Sequence, residues 1–144
     1  MINNDTIELL KECNAGIKMG VSSIDGVFDS VQSDSLKDIL EKSKQEHEKL
    51  GNETRAMLND YDDSGKEPNP MAKGMSWIKT NVMLSMDPSD ETVSDLITDG
   101  CNMGVKSLNR YLNKYEAAEE KAKDIAKRLI KIEKCLTEDV SCYL

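Results

Sequence analysis

Apolar residues near the start of the chain recur at the spacing of one helix face. Leu10, Ile17, Ile24 and Val31 follow one another every seven residues. On an α-helix this spacing aligns the side chains along one side, which a surface helix buries against its neighbours. The pattern therefore predicts a first helix over residues 4–31, with one buried face.

A second helix is predicted over residues 35–61, with Asp34 as its N-cap. Its core-facing positions alternate in steps of four and three residues, as in helical bundles. These positions are Leu36, Leu40, Ser43, His47, Leu50, Thr54, Met57 and Tyr61. Three of them are polar where leucine is expected, so the middle of this face tolerates or requires polarity. The short connection from Val31 to Asp34 predicts that the first two helices are antiparallel neighbours.

The centre of the chain contains a segment that cannot continue a helix. Residues 62–70 contain two prolines and a glycine, which predicts a loop. A shorter helix is predicted over residues 71–86, with Trp77 near its middle, and we expect it to cover an apolar flank of the bundle. Ser89 or Asp90 is predicted to cap the helix that follows.

The last part of the chain has an apolar pattern that runs without a break from Val93 to Leu136. A single helix of this length would extend about 65 Å, far beyond the partner helices. We therefore predict a turn between Asn113 and Ala118, with Asn113 and Glu116 forming a capping box. The result is one all-α domain over residues 1–144, an antiparallel four-helix bundle with an extra short helix in its long crossover. The four predicted helices span residues 4–31, 35–61, 90–115 and 117–137.

Two helical hairpins joined by one long crossover form the topology of ferritin-like proteins. The sequence also carries a loose pattern that is similar to small bacterial members of that superfamily. The pattern consists of Trp77-Ile78-Lys79, Asp95-Leu96-Ile97, Asp99-Gly100-Cys101 and then Leu108, Tyr111 and Tyr115. The chain thus resembles a branch of the ferritin-like superfamily, which implies a bacterial origin and a four-helix-bundle fold.

The di-iron site of that family does not carry over to these residues. The family takes one glutamate each from the first and third helices, and Glu-x-x-His from the second and fourth. His47 falls where a second-helix histidine belongs, but Lys44 stands three residues before it, and the chain has no other histidine. The matching positions of the other helices are Asn14 and Ile17, Gly100 and Gly104, and Ala122 and Ile125. We therefore predict no catalytic residue, no metal site and no cofactor.

His47 is the most distinctive candidate for a site of another kind. One interpretation is a structural histidine that is hydrogen-bonded to Ser43 or Glu46. A second is a non-standard redox or metal site that uses His47, Glu46 and Cys101. A third is a small-ligand site in the polar middle of the second helix, around Ser43 and His47.

Glycine pairs occur near the middle of the first and third predicted helices. Gly16 and Gly20, like Gly100 and Gly104, are four residues apart. A glycine inside a helix costs about 1 kcal/mol relative to alanine, so close contact between helices is expected to offset that cost. The alternative is that the missing side chains leave a cavity for a small ligand.

Charge and hydropathy argue against several classes of function. Asp and Glu number 27 against 19 Lys and Arg, which gives a net charge of −8 and disfavours nucleic acids and anionic membrane surfaces as partners. No long apolar run predicts a membrane helix, and the N-terminus does not resemble a signal peptide. The expected location is the cytoplasm. The alternating charges from Glu116 to Lys134 are interpreted as facing solvent.

The four cysteines do not form a Cys-x-x-Cys motif. In a cytoplasmic protein this favours reduced thiols buried in the core, with Cys142 the most exposed of the four. The other three are Cys13, Cys101 and Cys135.

No motif for catalysis is present, because the chain lacks a Gly-rich phosphate loop and a nucleophile elbow. The sequence therefore favours a non-catalytic bundle that acts through protein contacts, as a homodimer sharing an apolar flank or with another protein. The alternatives are a degenerate redox or metal protein and a small-ligand carrier.

Overall fold

A computed structural model describes residues 4–61, 83–85 and 87–144 of the chain. Most of these residues lie in four long helices, and no strand occurs among them, which confirms the all-helical class. The helices are α1 (Asn4–Phe28), α2 (Asp34–Asn59), α3 (Asp90–Lys114) and α4 (Glu120–Val140). A short 3-10 helix, Ser141–Tyr143, follows α4.

The first connection differs from the prediction at both of its ends. Helix α1 ends at Phe28 rather than at Val31. The N-cap of α2 is Ser33, whose hydroxyl accepts a hydrogen bond from the Leu36 amide at 3.3 Å, so Asp34 is the first helical residue and not the cap. The neighbouring serine was the better cap because its oxygen reaches the free amide of the first turn.

The predicted turn after α3 is confirmed, but its capping box is wrong. Helix α3 ends at Lys114, and α4 begins at Glu120 and runs to Val140, beyond the predicted end at residue 137. Glu119 is the N-cap of α4, and its side chain makes no capping bond. A tertiary contact holds this turn instead, since the backbone amide of Glu119 donates to the Thr6 hydroxyl of α1 at 2.8 Å.

Ser89 caps α3 as predicted, through a hydrogen bond from the Thr92 amide to its hydroxyl at 3.2 Å. The adjacent Asp90 carboxylate accepts hydrogen bonds from the backbone amides of Gln32 and Ser33, at 2.7 and 3.1 Å. The start of α3 is therefore tied to the turn between α1 and α2.

The four helices pack around a shared interior. Helix α1 packs against α2, α3 and α4, and α4 also packs against α2, α3 and the 3-10 helix. Leu84, in the helical residues 83–85, is buried in the same interior. The predicted loop at 62–70, Trp77 and the rest of the predicted crossover helix lie outside the described residues.

The core consists of two apolar clusters, one toward each end of the helices. The first contains Leu9, Leu10, Cys13, Ile17, Leu50, Leu58, Leu108, Ala118, Ala122, Ile125, Ala126 and Leu129. The second contains Ile24, Val27, Val31, Leu36, Leu40, Leu84, Val93, Ile97, Cys101, Leu136 and Val140. Polar or glycine positions separate the two clusters along each helix, and these positions are Gly20 in α1, Ser43 and His47 in α2, Gly104 in α3 and Glu133 in α4. A polar layer therefore lies between two apolar halves.

Candidate functional site

A histidine and a glutamate face each other in the buried polar layer. His47 of α2 is 1% exposed and Glu133 of α4 is 6% exposed. The His47 Nε2 atom lies 4.0 Å from Glu133 Oε1, which is too long for a hydrogen bond but close enough for strong electrostatic interaction. We refer to these two side chains as the His47–Glu133 pair.

Ser43 orients the imidazole of this pair. The other ring nitrogen, His47 Nδ1, lies 2.8 Å from the backbone carbonyl oxygen of Ser43 and 3.5 Å from its hydroxyl. A carbonyl oxygen can only accept, so Nδ1 carries the hydrogen and donates it. In a neutral imidazole, Nε2 then presents a lone pair toward Glu133. This is the hydrogen bond to Ser43 that the sequence suggested for a structural histidine.

Two glycines make room for the pair. A Cβ atom added at Gly20 of α1 would lie 2.8 Å from the His47 imidazole, and one at Gly104 of α3 would overlap the Glu133 carboxyl group. These glycines therefore accommodate facing side chains, as close packing requires, and the volume beside them is filled. The other glycine of each pair is less crowded. A Cβ atom added at Gly16 would make only an ordinary contact with Leu129, and one added at Gly100 would have no neighbour within 4 Å.

Burial dominates the electrostatics of Glu133. Loss of solvent raises the pKa of the Glu133 carboxyl above its ordinary range, and His47 opposes that increase without cancelling it. Glu133 Oε2 has no hydrogen-bond partner among the described residues. Burial also raises the pKa of the Cys101 thiol to about 12, with a smaller contribution from the negative charge of Glu133. Ionisation of a carboxyl group at this position is therefore costly.

The residues that the sequence suggested for a ligand or metal site do not all lie together at this pair. Ser43, His47 and Cys101 are buried, whereas Glu46 is exposed on α2 and does not join them. Within the described parts of the chain, no three His, Cys, Asp or Glu side chains come together where they could hold a metal ion.

Glu133 is the residue that the sequence analysis missed. It was assigned to the solvent-facing run from Glu116 to Lys134, and that interpretation is wrong at this position because Glu133 is buried. Spacing alone predicts Ile132 between the core positions Leu129 and Leu136, but Glu133 fits the same steps of four and three and is the residue that is buried. Asn14 of α1 is also fully buried, and both atoms of its side-chain amide lack partners among the described residues.

A groove with a volume of ≈ 650 Å³ runs along the outer surface between α1 and α2. Of its lining residues, Ile17 and Gly51 are buried. Its lining carries charges of both signs, from Lys18, Asp25, Lys44, Glu48 and Arg55. Lys44 of α2 and Asp25 of α1 form an ion pair of 2.8 Å between the two helices.

The cysteines divide into two classes. Cys13 and Cys101 are buried, while Cys135 and Cys142 are exposed, and all four are free thiols. The prediction of a buried thiol is therefore wrong for Cys135 and confirmed for Cys13 and Cys101. Cys135 lies on the outer face of α4, between the exposed Lys134 and the buried Leu136.

Comparison of the chain with protein-family models, curated proteins and solved structures finds no match. None of the helices in the described ranges is both long and apolar enough to cross a membrane.

Proposed function

We propose that this chain is a non-catalytic, antiparallel four-helix bundle of the ferritin-like type that acts through protein contacts, specifically by pairing with a second copy of itself. The helix order supports the topology. Residues 29–33 and 115–119 make short connections that favour antiparallel neighbours, while a much longer segment joins α2 to α3. This arrangement of two hairpins and one crossover is the ferritin-like one.

The packing of the polar layer supports a role at the surface rather than inside the bundle. His47 occupies the space beside Gly20, and Glu133 occupies the space beside Gly104. A ligand would have to displace these side chains from a close-packed interior, which is costly. The protein's own side chains thus fill the position at which other bundles hold cofactors.

The groove between α1 and α2 is the observation that carries the proposal. Its lining includes the buried residues Ile17 and Gly51 and combines cations with anions. A two-fold interface brings the same patch of both copies together, so a patch with both signs of charge can complement itself. The large hydrophobic side chains that are exposed in the described residues are Met103 and Leu144, at 71% and 57%. The proposed interface is therefore this groove rather than the apolar flank expected from the sequence.

Sedimentation equilibrium of the full chain tests this proposal. We expect a concentration-dependent dimer that Lys44→Glu weakens by about tenfold or more, since the substitution places like charges across the interface. The double variant Asp25→Lys with Lys44→Glu restores both signs and is expected to recover most of the affinity.

Arg128→Glu is the matched control for the dimer experiment. It breaks an exposed ion pair with Glu53 on a different surface, at 2.8 Å, and should leave dimerisation unchanged. A chain that stays monomeric at high concentration would refute self-association, and a dimer equally weakened by Arg128→Glu would place the interface elsewhere.

The groove also supports the small-ligand carrier as a second candidate. Its volume of ≈ 650 Å³ falls within the range typical of small-molecule sites. A thermal-shift screen against a metabolite library separates the two functions. A monomeric chain with a saturable ligand-dependent rise in Tm that Lys44→Glu abolishes would favour the carrier.

A further inference from the structure

We propose that the His47–Glu133 pair is a one-proton switch that sets how tightly the four helices pack at the middle of the molecule. The pair touches every long helix, because the imidazole comes from α2 and faces Gly20 of α1, while the carboxyl comes from α4 and faces Gly104 of α3. A change in the charge of this pair therefore acts on all four helices at one level.

The geometry of the pair means that one proton determines whether His47 and Glu133 can form a hydrogen bond. His47 Nδ1 already donates its hydrogen to the Ser43 carbonyl, so a neutral imidazole presents Nε2 to Glu133 as an acceptor. An ionised carboxylate is also only an acceptor, and the two groups then repel across 4.0 Å. One added proton, on either group, supplies the missing donor and makes the pair electrically neutral overall. A closing movement of about 1 Å then forms a hydrogen bond.

Among the residues that the structure describes, little else near the pair can compensate a buried negative charge. From α3 the neighbouring titratable group is Cys101, whose thiol stays protonated because its pKa is about 12. From α1 the neighbour is Gly20, which has no side chain, and the 3-10 helix starts about two turns further along α4. Glu133 Oε2 has no partner among the described residues. Loss of the shared proton therefore leaves a charge in the core that water would stabilise better.

The direction of the pH dependence follows from linkage. Burial raises the pKa of Glu133, so the folded state binds a proton more tightly than the unfolded chain does. The stabilisation that such a group contributes is complete when the pH is below the ordinary pKa range of glutamate. It is lost as the pH rises through the higher pKa of the folded state. The middle of the bundle is thus closed in acid and loosened at higher pH.

Glu133→Gln tests the switch, because glutamine keeps the shape of the side chain and stays neutral like the protonated acid. Denaturant unfolding at intervals between about pH 4 and about pH 9 should show wild type losing stability relative to Glu133→Gln as pH rises. Glu53→Gln is the control, since Arg128 lowers the pKa of the exposed Glu53 and this variant should show the opposite trend with pH. A gap between wild type and Glu133→Gln that is constant or shrinks with pH would refute the switch.

Two further measurements test the proposal if Glu133→Gln folds poorly or changes the stability of all helices equally. Calorimetry of wild type in buffers of different ionisation enthalpy should detect uptake of up to about one proton on folding, and the absence of uptake throughout this range contradicts the switch. Amide exchange should show wild type opening faster than Glu133→Gln around residues 43–47 and 100–104, increasingly so at higher pH. A uniform increase along all helices would contradict control at the middle of the molecule.

Discussion

At the scale of single residues, the packing of the helices depends on which side chain faces each glycine. Gly20 lies against a rigid imidazole whose Nδ1 atom is held by Ser43, so the ring cannot move away without losing that hydrogen bond. Gly100 has open space at the position of a Cβ atom. Packing in the described residues therefore requires a glycine at position 20 but gives no reason for one at position 100.

We expect Gly100→Ala to stabilise the protein and Gly20→Ala to leave its stability unchanged or to lower it. Both substitutions gain about 1 kcal/mol of helix propensity, which cancels in their comparison. Only Gly20→Ala also forces a Cβ atom against His47, at a cost of about 1–3 kcal/mol. Urea unfolding of both variants measures the difference, and equal stabilisation by the two would contradict the packing described for Gly20.

At the scale of the helices, contacts between distant segments hold the ends in place. Serines cap α2 and α3 locally, but α4 has no side-chain cap and starts where the Glu119 amide meets Thr6 of α1. At the opposite end, Asp90 joins the start of α3 to the turn between α1 and α2. Local capping signals therefore explain only part of how the helices begin.

Removal of the Asp90 carboxylate should loosen that junction. Asp90→Ala loses two charge-assisted hydrogen bonds to backbone amides, and we expect unfolding free energy to fall by about 1–3 kcal/mol. Glu91→Ala is the matched control, because Glu91 is also in the first turn of α3 but is exposed. If both variants lose the same stability, a general effect of charge at the helix N-terminus explains the result, and the tie to the α1–α2 turn contributes nothing.

At the scale of the whole molecule, two apolar clusters enclose one polar layer, and the outer surface is strongly charged. The four cysteines are distributed over these regions. Cys13 lies in the first cluster, Cys101 lies in the second, and Cys135 and Cys142 are exposed. Burial raises the pKa of both core thiols to about 12. The reactivity of the thiols therefore distinguishes a closed core from an open one.

We expect a thiol reagent to modify Cys135 and Cys142 rapidly in the folded protein and Cys13 and Cys101 only after unfolding. The reactive species is the thiolate, which burial suppresses at the two core positions. Mass spectrometry of digested, labelled protein measures each site. Rapid native labelling of Cys13 would show that the first cluster opens far more readily than its packing implies.

The sequence alone determined the helical class, the main buried faces and the turn near residue 115. Those features are local, because a period of 3.6 residues places side chains on one face whatever the helix packs against. The same rule identified Ser43, His47 and Thr54 as core positions, and all three are buried. The rule does not identify Glu133, because steps of three and four allow either Ile132 or Glu133 between Leu129 and Leu136, and only packing buries Glu133.

Only the tertiary structure decided which groups meet between the helices. The pairing of His47 with Glu133, the glycines that receive them and the bond from Glu119 to Thr6 all join segments far apart in sequence. The axial offset and rotation of one helix against another depend on the packing of many side chains at once, so no local pattern specifies them. The chemistry of the polar layer follows from that packing rather than from any motif.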